Sequence, residues 1–522
     1  MPRASTPADI NPFSNKTQGF AGGVNLRDAW SQLQPDEARV LENVVLDERG
    51  GISKRLGSRS GGTFGASGDR AISMYTYYRG NNPPQVIMQT SAGTLYYTTD
   101  PTASTIVWTQ IATGLSTVAP FSFETFAGNC YFTNGVDSYA KWDGTTYTAL
   151  ASAPKGKYIR LWKDTMFVSG VTGLLDRVYE SAAGDAETWP VASWIDIAKG
   201  DGDQATGLGS DGFTLIFFKR NRHMAITDPV TLANRVVDFE KGCESHFSII
   251  QHEGYIYFLS RRGFARYLGD SPSEIISGKL DPLFDPQILN LTALDKAWAY
   301  TIGNRVGWAL PESGSSYPTI QVEYYPRLGA INQFGTRALG PFSFNRMPGR
   351  VYARYRYLGN DILLSGAMAQ NKVFWLLYPV GTDDGVAFVG VAETASFDFG
   401  APTRTKYIRR ARVLLRGNVT MQLRRDFGTS IIDTRNLFGA AQSDLWSLSD
   451  LWGAGTWGPD SLYKEILVNI DRYGRYFALR FTDSSTDIGG RYVEVGSLEY
   501  QLPAGEWAVY QVVMDGNVLG LR

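Results

Sequence analysis

Thiol and imidazole chemistry has almost no raw material in this chain. Only two cysteines and three histidines occur among 522 residues. Cys130 and Cys243 stand far apart, with no CxxC and no Cys/His cluster beside either, which removes zinc-site and redox-motif readings. Two buried, reduced thiols packed as small hydrophobes are the expectation. His223 sits in a basic run whose charges disfavour its protonation, and His246 and His252 read as hydrogen-bonded strand residues. No HExxH, no Gly-x-Ser-x-Gly elbow and no Walker loop is present. A pair of carboxylates for glycoside hydrolysis cannot be singled out among 51 acids. The expectation is no enzyme, no metal and no cofactor.

An excess of one charge sign is also missing. Fifty Lys and Arg face 51 Asp and Glu, a formal net of −1. Proteins that clamp nucleic acid by neutralising phosphates carry a basic surplus, so tight DNA binding is not expected, although DNA could pass without being held. Long apolar runs are absent as well. The opening Met1-Pro2-Arg3-Ala4-Ser5-Thr6 has no apolar core of a secretory signal, and no stretch is apolar enough to span a bilayer.

Aromatics at 13% and 56 glycines are what the chain has in plenty. Aromatic and β-branched side chains fit pleated, half-buried surfaces and glycine serves turns, so an all-β protein is expected. Residues 1–65 read as an extended arm with one short helix from Pro35 to Leu46, where Ala38, Leu41, Val44 and Val45 fall at helical spacing. Between residues 66 and 396, strand-like runs recur between Gly, Asn and Asp. Gly128-Asn129-Cys130-Tyr131-Phe132-Thr133 and Gly254-Tyr255-Ile256-Tyr257-Phe258-Leu259 are two such units. Their spacing of about 40 to 50 residues is that of propeller blades and leaves room for about six or seven of them, with one or two stacked sandwiches as the alternative. Residues 397–522 read as a separate C-terminal β-sandwich, in which Gly417-Asn418 is taken for a two-residue hairpin turn.

The opening segment carries a resemblance. Gly22-Gly23-Val24-Asn25, then Pro35 to Val44, then Gly50-Gly51-Ile52-Ser53-Lys54-Arg55-Leu56-Gly57, resembles the leading segment of tailed-bacteriophage nozzle proteins of the tail tubular protein B type. Gly200-Asp201-Gly202-Asp203, followed by Thr206-Gly207-Leu208 and a strand ending in Phe218-Lys219, resembles a blade junction of phage tail propellers. Arg409 to Gly417 is similar to the sandwich that ends several such proteins. The resemblance implies a structural virion protein made in the host cytoplasm and built into the tail. It implies a homo-oligomeric ring, a hexamer by family, below the portal and adaptor, contacting other tail proteins such as the adaptor and fibres, with genomic DNA passing through at ejection. A tail-tip or receptor-binding protein engaging host-surface glycan is the alternative. Gly22, Gly23 and Arg55 are the interface residues expected in the arm.

Three further features allow two readings each. Asp201-Gly202-Asp203 suggests calcium ligation but lacks a third oxygen ligand at Ala205 and the bidentate Glu at Gly212, which leaves turn formation as the simpler role. The basic groups Lys219 to Arg222, Arg261-Arg262, Arg409 to Arg412 and Arg424-Arg425 could face DNA or an acidic neighbour. Adjacent strand residues point to opposite faces, however, so a solvated edge or an interface ion pair is expected. Trp446, Trp452 and Trp457, interleaved with Leu445, Leu448 and Leu451, mark a protein interface, with sugar stacking and simple packing as rivals.

Overall fold

Several strand sequences, such as Leu215-Ile216-Phe217-Phe218, are apolar without interruption because both faces of the strand are covered. Leu215 and Phe217 join a core with Trp162, Phe167 and Val178, while Ile216 and Phe218 join another with Ile256, Phe258 and Tyr267. Side chains alternate across a strand, so each such run links two cores. The second sheet repeats the device: Cys130 and Phe132 pack with Tyr77 and Ile87, and Tyr131 packs with Ile159 and Val168.

The structure, a computed structural model, describes residues 11–16, 19–47, 50–269, 271–329, 339–367, 369–438, 464–483, 492–495, 498–501 and 507–518. It is all-β. Among the described residues there is no α-helix, only four 3-10 turns. Two units emerge. A meander unit comprises Ser58–Val322 and Met347–Tyr378, and a terminal unit takes Met1–Gly57, Glu323–Arg346 and Pro379–Arg522. The terminal unit therefore gathers segments that the sequence suggests dividing among an arm, a propeller region and a sandwich.

In the meander unit, five four-stranded antiparallel sheets follow one another, opening with strands Ala71–Arg79, Ser122–Phe126, Tyr158–Trp162, Ala205–Ser210 and Ile250–His252. A sixth set of strands, the edge of a fifteen-stranded sheet, opens with Trp298–Ile302, and a six-stranded sheet, the seventh in order, opens with Val351–Tyr357. The seventh sheet continues through Asn360–Gly366 and Lys372–Tyr378, and its next strand is the early Gly57–Thr63. Opening strands pack on one another in chain order. The fourth reaches the fifth through the turn His246–Ser248, and the seventh packs back against Ala71–Arg79.

The hairpins that begin these sheets explain much of the glycine. Ala127-Gly128, Glu253-Gly254 and Leu358-Gly359 have positive φ at both residues, and Lys163-Asp164 does so without glycine. That combination is the I′ turn, whose twist matches paired strands.

The terminal unit is built around the strand Lys406–Arg425. Its first part pairs with Lys464–Gly474 on one side and Trp507–Val518 on the other; its last part pairs with Ile431–Phe438 and Phe477–Asp483. Gly417-Asn418 is thus no hairpin turn. Gly417, at φ +71°, lies where one continuous strand passes from the first ladder to the second, a bend that glycine accommodates.

The expected helix from Pro35 to Leu46 is also overturned: Glu37–Glu42 and Val44–Leu46 are strands. Glu37–Glu42 pairs with Val391–Thr394, and Ala38 opposes Thr394 while Val40 opposes Glu393, so Arg39 is a bulged extra residue. The bulge and a positive φ of 55° at Asn43 bring Ala38, Leu41 and Val44 inward at a spacing of three, which imitates a helix. The opening segment, expected as an extended arm, is woven into the terminal unit. Ile52–Lys54 pairs with Trp507–Val518, as does Asn11–Lys16.

Candidate functional site

Gly22 and Gly23, expected at an interface, belong to a close internal approach. Gly23 has φ +67°, and a Cβ there would meet Pro341 Cβ at 2.5 Å and Phe342 N at 2.7 Å. Beside it, Asn25 donates to Asp28 and to Glu37 and accepts from the backbone N–H groups of Arg27 and Asp28.

Arg55 is only 2% exposed. Its guanidinium grips both Asp383 oxygens, donates to Asn43 Oδ1 at 3.0 Å and to the Arg346 carbonyl at 2.9 Å, and lies 3.7 Å from the Phe388 ring centroid. Every one of those partners belongs to the same unit of the same chain. Trp446, Trp452 and Trp457 lie outside the described residues.

The Asp201-Gly202-Asp203 turn already holds a cation. Lys219, fully buried, donates from Nζ to Asp176 Oδ1 and Asp201 Oδ1, both at 2.8 Å, and to the Ala198 carbonyl at 2.9 Å. Asp203 accepts from the backbone N–H groups of Arg220 and Asn221 and so fixes the turn that follows Lys219. Among the described residues no group of three or more His, Cys, Asp and Glu could hold a metal ion. Another basic group resolves in the same way: Arg424, with Arg39, lies 3.0 Å from the buried Glu393 carboxylate.

Two of the three histidines, His223 and His246, are held neutral by their surroundings. His223 is buried, with Nδ1 2.6 Å from the Lys241 carbonyl and Nε2 3.2 Å from Ser273 Oγ, and burial lowers its pKa. His246 Nδ1 accepts from the Leu208 N–H at 3.4 Å, so Nε2 carries the proton and donates to Ser122 Oγ at 2.8 Å. Desolvation, aided by the positive charge of Arg160, pushes the His246 pKa down to about 3. Neither imidazole is poised as a base near neutral pH. Cys130 and Cys243 are buried and free, and burial raises both thiol pKa values.

A different cluster, which the sequence does not reveal, sets three cations against a single acid, the exposed Asp295. A cavity of about 320 Å³ in the meander unit is lined by Arg70, Lys296, Arg350 and Tyr317, with Phe247 and Trp298 stacked at 4.2 Å in its wall. Arg70, Lys296 and Arg350 lie 5.8, 5.0 and 4.4 Å from the Tyr317 ring centroid. These residues come from four distant parts of the chain, and none stands in a motif. Only the packing of the first and seventh sheets and the sixth set of strands brings them together.

No family profile matches this chain, and no curated protein matches it. Among solved structures, the chain is similar to the computationally designed protein Ika8, at 8% identity and a TM-score of 0.33, over 62% of this chain and 99% of that one. It is also similar to an extracellular domain assigned to a one-component system of B. thetaiotaomicron, at 9% identity and a TM-score of 0.41, over 92% of this chain and 63% of that one. Likeness this distant carries no argument about function.

Proposed function

We propose that the meander unit is a seven-bladed β-propeller and that the protein is a structural component of a bacteriophage tail. Support for the propeller is the succession of opening strands, which runs from Ala71–Arg79 through seven sets of strands, the sixth being the edge of a larger sheet, and returns to it. The early strand Gly57–Thr63 supplies the fourth strand of the last sheet, a join that ties the start of the unit to its end. In the terminal unit we read a sandwich, supported by one strand serving two ladders across a glycine bend.

In this reading, copies of the chain form a ring, a tail nozzle, that continues the DNA channel below portal and adaptor and passes the genome at ejection. The observation that carries it is the weaving of the opening segment. Strands Asn11–Lys16 and Ile52–Lys54 both pair with Trp507–Val518, and Glu37–Glu42 pairs with Val391–Thr394, so the two ends of the chain are locked in one unit. Antiparallel ladders joining distant segments must be sheared together to open, which suits a part that withstands the passage of packed DNA. The reactive side chains favour the same reading, because histidines, thiols and the Asp201 turn are engaged in holding the fold. Since His246 ties the second and fourth sheets from within, the DNA channel in this reading lies between copies rather than through one.

Light scattering on the purified protein tests the proposal. A mass of several copies, six by the family resemblance, is expected, together with duplex binding no tighter than about 10⁻⁶ M at physiological salt. A persistent monomer, or tight sequence-selective binding of duplex, overturns it.

A further inference from the structure

Burying a guanidinium without a counter-charge is costly unless something negative comes to it. Arg350 is 5% exposed; its Nε donates to the Ala71 carbonyl at 2.9 Å, but Nη1 is buried with no partner. Arg70 Nε is likewise buried without a partner. No ion pair joins Arg70, Lys296 or Arg350 to a carboxylate among the described residues, and burial lowers the Arg350 pKa. Tyr317 attracts all three cations through its ring and supports Arg350 through its phenol, but a neutral phenol supplies no counter-charge, and Asp295, the one acid in the lining, is exposed and ion-paired with none of the three.

The geometry points to a binding site for a small anion, a carboxylate or phosphate carried on a flat ring, gripped by Arg70 and Arg350 with Phe247 and Trp298 as its apolar wall. Guanidinium forks match the oxygens of both anions. Lys296, exposed at the rim, adds attraction during approach. At about 320 Å³ the cavity lies at the lower end of the range for small-molecule pockets, which suits one ring and excludes a duplex. The site does not depend on the tail assignment.

Calorimetric titration of the full chain with benzoate, phenyl phosphate and neutral benzyl alcohol tests the inference. Saturable binding of at least one anion, about tenfold or more tighter than benzyl alcohol, is expected from charge-assisted contacts. Whether benzoate or phenyl phosphate binds better identifies the anion. Arg70→Gln combined with Lys296→Gln, changes at side chains that make no hydrogen bond in the fold, should weaken anion binding by about tenfold and leave the melting temperature in place. Arg350→Lys, which keeps the charge but loses the fork, should weaken it as well. Three results overturn the inference: no saturable anion binding at millimolar concentration, equal binding of benzyl alcohol, or unchanged binding by the folded double variant.

Discussion

Arg55 and Asp383, 328 positions apart, meet in a two-pronged ion pair that fastens the opening segment to the late part of the chain. Neither group is left with water as its main partner, and Asn43 and the carbonyls of Leu56 and Arg346 take the remaining guanidinium donors. Removing one member strands the other charge. Asp383→Ala or Arg55→Met should cost about 3–5 kcal/mol, whereas replacing both together by apolar residues should cost less than the sum. Urea unfolding of the two single variants and the double variant checks this; additive losses would mean the pair is not coupled.

Gly23 tests the close approach of the opening segment to Pro341 and Phe342. Gly23→Ala places a methyl group against Pro341 and Phe342 and demands a positive φ from a residue with a side chain, a cost of at least about 1–2 kcal/mol from the backbone alone. Gly212→Ala supplies the control, since its added Cβ meets nothing and only the backbone cost remains. A lower unfolding midpoint for Gly23→Ala than for Gly212→Ala is expected, read by tryptophan fluorescence in urea.

The opening segment also shows where sequence reasoning succeeds and where it stops. The two sequence units beginning at Gly128 and Gly254 do occupy equivalent places, each following an I′ turn into a second strand. Turn chemistry is local, so it is legible. The Pro35 to Leu46 stretch misleads because a bulge at Arg39 changes the inward spacing from two to three, and the bulge exists only through pairing with a strand more than 300 residues away. Gly417 misleads for the opposite reason: a positive φ serves a strand bend as well as it serves a turn. Glu393, Arg39 and Arg424 meet only through sheet pairing, as the Tyr317 cluster meets only through sheet packing, and no spacing in the chain announces either.

Acid should weaken the fold before most carboxylates titrate. The His246 pKa is about 3 in the fold and about 6.5 in the unfolded chain, so the unfolded state binds the proton first as pH falls. The stability that neutral His246 contributes is complete above about pH 6.5 and declines steadily below it, and buried His223 acts in the same direction. Glu124, Glu180 and Glu244, raised by burial, act in the opposite direction closer to the carboxylate range. The urea midpoint should therefore fall between pH 7.5 and 5.5, and His246→Gln, which can still donate and accept, should flatten that slope. An unchanged slope in the variant would remove His246 from the explanation.

The two thiols should be silent in the native protein. Cys243 is pushed up to about 12 and Cys130 well above its ordinary value, both by burial, so neither forms an appreciable thiolate near pH 8. A thiol-reactive disulfide reagent should count no thiols in buffer and two after denaturation. Rapid reaction of either one in buffer would mean that its core opens.

Electron-microscope class averages of the purified protein at micromolar concentration test the central claim most directly. The account predicts closed rings of repeated copies around an open channel, lost when residues 1–57 are deleted because those residues supply strands to the terminal unit. Single compact particles at every concentration, with and without tail partners, would contradict it.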